Sequence, residues 1–174
     1  MTLSQQVIDL LDDSNNFLFY AKQQDREGHE KHKLMYSRAV IITSYSALEG
    51  WLNYISSSFA EQDDSSVLNQ YEKAFLLEKK IEIDDNGDIQ ITNQDKYENT
   101  TKKLQFILKK FGNYDIKNND PKLWSDFKKF EKIRNILVHP KRNSSDKKIS
   151  LDDAEFCLNT ITQIIQILKD KIYC

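Results

Sequence analysis

The chain has 174 residues, which suits a single domain (residues 1–174) that is long enough to bury a hydrophobic core. Four glycines, two prolines and 30% charged residues favour helices and exclude a turn-rich β fold. The net charge of −2 at pH 7 excludes a globally basic nucleic-acid coat protein, although a local basic patch is compatible with it.

The sequence has neither a signal-peptide pattern nor an apolar run of membrane-spanning length. Cys157 lies within a predicted helix and Cys174 is the last residue, so we expect no structural disulfide. These features predict a cytoplasmic protein that has no membrane partner.

Two helices are predicted in the first 60 residues. The first extends from Leu3 to about Gln24, and Gly28 separates it from a second helix over Glu30–Phe59. The second helix carries the longest apolar stripe of the chain, with alternating spacings of four and three: Ile41, Tyr45, Leu48, Leu52, Ile55 and Phe59. This spacing places all six side chains on one face and predicts the central helix of a bundle.

A short helix is predicted over Val67–Lys80, and a β-hairpin is predicted after it. Isoleucines alternate with polar residues in Ile81–Ile83 and in Ile89–Ile91, on either side of the turn Asp85-Asn86-Gly87. A calcium-binding loop is the alternative, because part of an EF-hand is imitated by Glu82, Asp84, Asn86, Gly87 and Ile89. The twelfth position would be Asn93 instead of a bidentate acid, so we predict a small surface hairpin.

Three further helices are predicted from their end signals. One covers Asp95–Phe111 and stops at Gly112, and the next opens at the pair Asp120-Pro121, an N-cap followed by proline at the first helical position. Ser150, with Asp153 three residues later, forms a capping box that starts the last helix.

The last helix is apolar around more than one face. Its main stripe consists of Ala154, Leu158, Ile161, Ile165, Leu168 and Ile172. Cys157, Ile164 and Ile167 widen that stripe, so we expect an exposed apolar strip that serves as an association surface. Together these elements predict an all-α fold, a five- to six-helix bundle with a small β-hairpin inserted near residues 81–91.

The segment Glu131–Pro140 places an arginine at the edge of an apolar helix face. That face consists of Leu123, Phe127, Phe130 and Leu137. One apolar residue of this face is missing between Phe130 and Leu137, and Arg134 stands in its place. The permanent charge of its guanidinium must reach water, meet an acid or bind an anion. Pro140 pushes the residue before it out of the α region, so His139 is expected to be the first residue past the helix, beside Arg134 and Asn135.

The residues alone leave two interpretations of this segment open. In the first, Arg134 extends along the bundle edge to water, and His139 caps the helix C-terminus, where the helix dipole favours a cation. In the second, the arginine, the carboxamide of Asn135 and the imidazole form a functional site.

The segment Arg134–His139, with the sequence RNILVH, resembles the R-x4-6-H motif of the HEPN superfamily in its form with a polar residue after the arginine. The segment Ser46–Asn53 resembles an early helix of that family, in which an acidic residue, here Glu49, often lies near the motif. The resemblance covers most of the predicted helical frame. It implies a helical bundle that forms a homodimer with two facing motifs and needs neither a metal nor a cofactor.

The resemblance also implies a chemistry, since many members of the family are metal-independent endoribonucleases and others are inactive binding modules. Such cleavage needs a base for the 2′-hydroxyl, an acid for the 5′-oxygen and cationic support for the phosphorane. The His139 side chains of two protomers would transfer the protons, and Arg134 would hold the phosphate. Asn135 would orient the phosphate or His139. Glu49 either positions Arg134 or is a solvated helix-face residue.

Basic residues concentrate around the motif. Between Pro121 and Lys148, nine basic residues stand against three acidic ones, a segregation that favours RNA, although a solvated lysine face is the alternative. The candidate RNA contacts nearest the motif are Lys132, Lys141 and Arg142. His29 and His32 form an H-x-x-H pair without the nearby acids or cysteines of a metal site, so we predict that they are surface residues.

The sequence therefore predicts a metal-independent endoribonuclease that leaves 2′,3′-cyclic phosphate ends. By the resemblance it is a toxin or phage-defence effector, a homodimer whose partners are RNA and a cognate antitoxin or defence protein. The alternatives are a catalytically inactive HEPN-like module that binds RNA, a nucleotide or a partner protein, and a purely structural bundle.

Overall fold

The structure, a computed structural model, describes residues 4–61, 67–139 and 149–173. Within these ranges the chain forms seven helices and one two-stranded antiparallel sheet, which confirms the all-α bundle with an inserted hairpin. The helices are α1 (Gln5–Arg26), α2 (Glu30–Ala60), α3 (Gln70–Leu76), α4 (Thr100–Phe111), α5 (Ile116–Asn119), α6 (Pro121–Val138) and α7 (Leu151–Ile172), and the strands are β1 (Lys79–Ile83) and β2 (Ile89–Asp95). None of the helices in these ranges is both long and apolar enough to cross a membrane.

The first two helices form an antiparallel hairpin that frames the domain. The side chain of Ser4 caps the start of α1, and Gly28, with a φ of +75°, lets the chain reverse direction before α2. Ser14, in the middle of α1, donates a hydrogen bond to the Leu10 carbonyl and lies 2.7 Å from Oγ1 of Thr43 on α2. A polar residue in the interior of α1 thus joins the two helices.

Helix α2 is the centre of the core, as its apolar stripe predicts. Five of the six stripe residues are buried, and Phe59 is partly buried against the same cluster. The helix packs against α1, α4, α6 and α7, and the largest fully buried side chain of the protein is its Trp51. The core therefore fixes α2 along most of its length.

The expectation of an exposed apolar strip on α7 is wrong. Ile164 and Cys157 are fully buried, and Ile167 packs against the core. Helix α7 contacts α1, α2, α4 and α6, and a helix that is apolar on several faces belongs inside such a bundle. Burial also raises the pKa of the Cys157 thiol to about 12, so this thiol stays protonated near neutral pH.

Two predicted helices are shorter than expected because the hairpin takes their residues. The helix predicted over Val67–Lys80 covers only Gln70–Leu76, since Asn69 and Glu72 form a capping box that opens it and β1 begins at Lys79. The helix predicted from Asp95 begins at Thr100, because Asp95 belongs to β2 and the Asn99 side chain caps α4.

The other end signals are confirmed, and one helix was not predicted. Helix α4 ends before Gly112, the Asp120 side chain caps α6 with Pro121 behind it, and Ser150 and Asp153 form the capping box of α7. The short helix α5 had no prediction. The predicted start at Leu3, the loop signal at 63–66 and the loop Lys141–Lys148 lie outside the described residues.

The predicted hairpin is confirmed, and its two strands pair with Ile81 opposite Ile91 and Ile83 opposite Ile89. The carboxylate of Asp84 accepts hydrogen bonds from the backbone N–H groups of Asn86 and Asp88, both at 2.9 Å, so this acid closes the turn. At the open end, the backbone N–H of Lys96 donates to the Glu78 carbonyl at 2.7 Å. The hairpin thereby holds Glu78 and residues 96–99 together beside α4.

Candidate functional site

Helix α6 ends as its sequence predicts, with Val138 as its last residue and His139 as the first residue past it. His139 is the C-cap with φ −126° and ψ 69°, outside the helical region, and its N–H donates to the Asn135 carbonyl at 2.9 Å. Phe127, Phe130 and Ile133 anchor the helix in the core. Ile133 completes the buried face in the turn where the sequence pattern shows a gap, and Arg134 lies next to it at the border of that face.

The four predicted catalytic residues line one cleft. The cleft has a volume of about 690 Å³ and lies between α2, α4, the end of α6 and the segment that joins β2 to α4. Arg134, Asn135 and His139 come from the end of α6, and Glu49 comes from α2. Residues far apart in the sequence therefore meet at one surface, which we call the motif end of the cleft.

Arg134 is held from three directions at the motif end. Its Cζ lies 4.4 Å from the centroid of the Tyr45 ring, and its Nη2 lies 3.6 Å from Oε2 of Glu49. Its Nη1 donates a hydrogen bond to Oδ1 of Asn135 at 3.1 Å. The guanidinium is only 23% exposed, but its partners are a ring face, a loosely placed carboxylate and a neutral amide, so it can still meet an anion.

The partners of Arg134 are themselves fixed. Thr100, the first residue of α4, donates a hydrogen bond from Oγ1 to Oε1 of Glu49 at 2.9 Å. The Tyr45 ring packs edge to face on Phe130, with centroids 5.6 Å apart. Burial raises the pKa of the Tyr45 phenol, so the ring stays neutral beside the guanidinium. Of the two alternatives for Glu49, the geometry favours pairing with Arg134.

Asn135 and His139 are exposed and border the same cleft. Within the described residues, no hydrogen bond or ion pair joins His139 to Arg134. His139 and Arg134 therefore line the same cleft without a hydrogen bond or an ion pair between them. The exposed imidazole is accessible to a ligand in the cleft.

The wall of the cleft also contains an ion pair with a buried lysine, which the sequence analysis missed. Lys103 is 3% exposed, its Nζ lies 2.8 Å from Oε1 of Glu78, and it donates to Oδ1 of Asn53 at 2.9 Å. Glu78 adopts a φ of +54°, which is uncommon for a residue with a side chain. A signal was available, because Lys103 stands four residues before Ile107 and thus on the apolar face of α4.

The cleft is also lined by Glu131, a buried acid that was not predicted as part of the site. Its carboxylate accepts a hydrogen bond from the Thr101 hydroxyl and forms an ion pair with Lys128. Lys128 therefore neutralises a structural acid and is not a free contact for RNA. Lys129 likewise lies over the Phe156 ring, with Nζ 4.7 Å from the centroid.

The lining of the cleft is acidic on balance. Four carboxylates stand against two basic side chains, Arg134 and Lys103; the carboxylates belong to Glu49, Glu78, Glu98 and Glu131. Each of the four has a cation within 4 Å, and that of Glu98 is Lys96 at 3.0 Å. The wall is therefore a set of ion pairs and not an open basic surface.

Of the predicted RNA contacts, Lys132 is exposed on α6 but does not line the cleft, and Lys141 and Arg142 lie outside the described residues. His29 and His32 are exposed, as predicted. In the part of the chain that the structure describes, no three His, Cys, Asp or Glu side chains are grouped so that they could hold a metal ion.

Comparison with known proteins gives one finding for the whole domain. A family model described as RiboL-PSP-HEPN matches residues 8–173 and thus includes every residue that lines the cleft. No curated protein and no solved structure matches the chain.

Proposed function

Because the chain belongs to the RiboL-PSP-HEPN family, we propose that it is a metal-independent endoribonuclease with its reaction centre at the motif end of the cleft. Family membership supports a nuclease or RNA-related module in general, and cleavage is the finer proposal. The observation that carries it is the shared cleft wall, on which a clamped Arg134 lies with Asn135 and an exposed His139.

Arg134 is proposed to hold the scissile phosphate. A guanidinium offers a planar fork of donors that matches two phosphate oxygens and keeps its charge through the reaction. The Tyr45 ring and Glu49 would hold this fork in one orientation before substrate binds. Such preorganisation matters because donors that need no rearrangement stabilise the charge that develops on the phosphorane.

His139 is proposed to move the protons. A base removes the proton of the 2′-hydroxyl, its oxygen bonds to phosphorus, and the bond from phosphorus to the 5′-oxygen breaks. An acid then donates a proton to that 5′-oxygen, which leaves a 2′,3′-cyclic phosphate and a 5′-hydroxyl. An imidazole serves either role near neutral pH. Asn135 would orient the phosphate or the imidazole.

The two proton transfers favour a homodimer. One imidazole cannot be both deprotonated base and protonated acid at the start of a single cleavage, whereas two facing motifs provide one of each. The surface around the motif suits such contact, since Ile136 and Val138 are exposed beside it, at 37% and 41%. We expect sedimentation at micromolar concentration to give a symmetric dimer and Ile136→Glu to weaken it. A monomer that still cleaves RNA would exclude the shared site.

The decisive test of cleavage is the variant His139→Ala, assayed in EDTA with a mixture of cellular RNAs. We expect cleavage to fall about 10³-fold while the melting curve is unchanged, because the variant removes only a proton carrier. The wild-type products should carry 2′,3′-cyclic phosphate ends. His32→Ala is the matched control, since His32 is an exposed histidine outside the cleft, and it should keep full activity.

Two results would contradict the mechanism. Cleavage that stops in EDTA and returns with a divalent cation would mean that a metal activates the nucleophile. Full activity of His139→Ala would mean that another group transfers the protons.

We further propose that the nuclease acts as a toxin or phage-defence effector with a cognate antitoxin or defence partner, the role that the family resemblance implies. Induced expression of the wild-type chain should arrest growth, and His139→Ala should not. Arrest by both chains would mean that the toxicity does not depend on cleavage.

A second candidate function is a catalytically inactive module that binds RNA, a nucleotide or a partner protein. The acidic balance of the cleft favours the form of this candidate that binds a partner protein, because four carboxylates repel a polyanion unless their cations screen them. Two measurements distinguish the candidates, the ligand affinity of each chain and the RNA ends that it produces. An inactive module would bind its ligand with the same affinity in wild type and in His139→Ala, and neither chain would yield cyclic phosphate ends.

A further inference from the structure

Tyr97 is the most exposed of the large hydrophobic side chains in the described ranges, at 88%, and it borders the same cleft as Arg134 and His139. Single exposed hydrophobic residues are common on protein surfaces and need no explanation. This one differs in its place, because it lies at the rim of the cleft that holds the candidate phosphate site.

The backbone that carries Tyr97 is anchored on both sides. The N–H of Lys96 donates to the Glu78 carbonyl at 2.7 Å, and the N–H of Glu98 donates to Oε1 of Glu78 at 3.4 Å. One residue further, Asn99 caps α4 by accepting from the N–H of Thr101 at 2.8 Å. A ring that is almost entirely in water thus stands on a segment that the hairpin and α4 hold in place.

The chemistry of the ring suits a nucleobase. An aromatic face in water, on the same cleft as a cation for phosphate, suits a nucleic acid, in which a flat base accompanies each phosphate. Stacking on a ring with a fixed backbone also costs less conformational entropy than stacking on a mobile loop.

We propose that Tyr97 is a base-stacking platform, which binds the face of an unpaired nucleobase while a neighbouring phosphate of the same strand meets Arg134. This inference rests on the proposed binding of RNA in the cleft. A base stacked within a duplex cannot reach the ring, so the subsite accepts single-stranded RNA or a loop. The carboxylates of the cleft wall then repel phosphates that lie elsewhere in the cleft, which helps to fix the position of the RNA strand.

The test is binding of a labelled single-stranded RNA in which every 2′-hydroxyl is methylated, so that cleavage cannot occur. Tyr97→Ala should weaken binding about tenfold, and Tyr97→Phe should bind like the wild type, because stacking needs the ring and not the hydroxyl. Phe19→Ala is the matched control, an exposed aromatic on α1 that lies outside the cleft, and it should have no effect.

A set of oligonucleotides that each lack one base separates stacking from a structural role. In the wild type, one abasic position should lose about tenfold in affinity, and in Tyr97→Ala that position should cost nothing further. Wild-type binding with an unchanged Tyr97→Ala, or equal losses at the abasic position in both chains, would overturn the platform and leave the nuclease proposal intact. Absence of any RNA binding by the wild type would overturn both.

Discussion

The two cations that line the cleft are held in opposite ways. Lys103 is 3% exposed and forms two short contacts, to Glu78 at 2.8 Å and to Asn53 at 2.9 Å. Arg134 is partly exposed, and its carboxylate partner is at 3.6 Å, beyond the length of a good hydrogen bond. Both residues line the same cleft, and both neutralise an acid.

This difference separates a structural cation from one that can bind a ligand. Two of the three donors of Lys103 make short contacts, and replacing these contacts with a ligand would leave a carboxylate unpaired at the cleft wall. Arg134 has five donors and a long contact to its carboxylate, so an anion can approach it without breaking a tight ion pair. We therefore expect substitutions at Arg134 to change activity and substitutions at Lys103 to change stability.

Among the variants that test this difference between the two cations, the largest effect is expected for Arg134→Lys. The variant keeps the charge but loses the planar fork, so we expect cleavage to fall about 10²-fold, as for the loss of one preorganised donor. The free energy of unfolding should change by less than about 0.5 kcal/mol, because the side chain lies at the bundle border. Arg38→Lys, an exposed arginine on α2 outside the cleft, is the control. A fully active Arg134→Lys would mean that the site needs only a point charge.

A smaller effect, on stability alone, is expected for Lys103→Met. Removing the cation leaves Glu78 and Asn53 without their donor, so we expect the free energy of unfolding in urea to fall by about 2 kcal/mol. Lys102→Met, one residue earlier and exposed, is the matched control and should be nearly neutral. The double variant Lys103→Met/Glu78→Gln should recover part of the loss. An unchanged stability of Lys103→Met would remove the distinction between the two cations.

The features that could be predicted from the sequence are those that depend on local periodicity and on helix capping. The stripe on α2, the caps at Asp120 and Ser150 and the displacement of His139 from the helix by Pro140 are each encoded within a few residues. The motif end of the cleft was therefore foreseeable from the short segment Arg134–His139 together with Glu49.

The rest depends on contacts between distant segments, which a single sequence does not display. The apolar width of α7 was visible, but whether Ile164 meets solvent or a neighbouring helix depends on the number of helices around α7. The pairing of Lys103 with Glu78 likewise requires the hairpin to turn back toward α4. Strand pairing also decided where α3 ends and where α4 begins, since Lys79 and Asp95 are paired across the hairpin.

The smallest effect concerns the contact between Glu49 and Arg134. Both side chains are partly exposed, at 36% and 23%, so a double-mutant cycle of Glu49→Ala and Arg134→Ala should give a coupling energy of only about 0.5 kcal/mol in urea unfolding. In 1 M salt the coupling should approach zero, because water reaches the pair. Glu49→Gln removes the charge but can still accept the hydrogen bond from Thr100. If the ion pair alone is responsible for the coupling, this variant should give the same coupling energy as Glu49→Ala. A coupling energy above about 2 kcal/mol would instead mean that Arg134, like Lys103, is a structural cation.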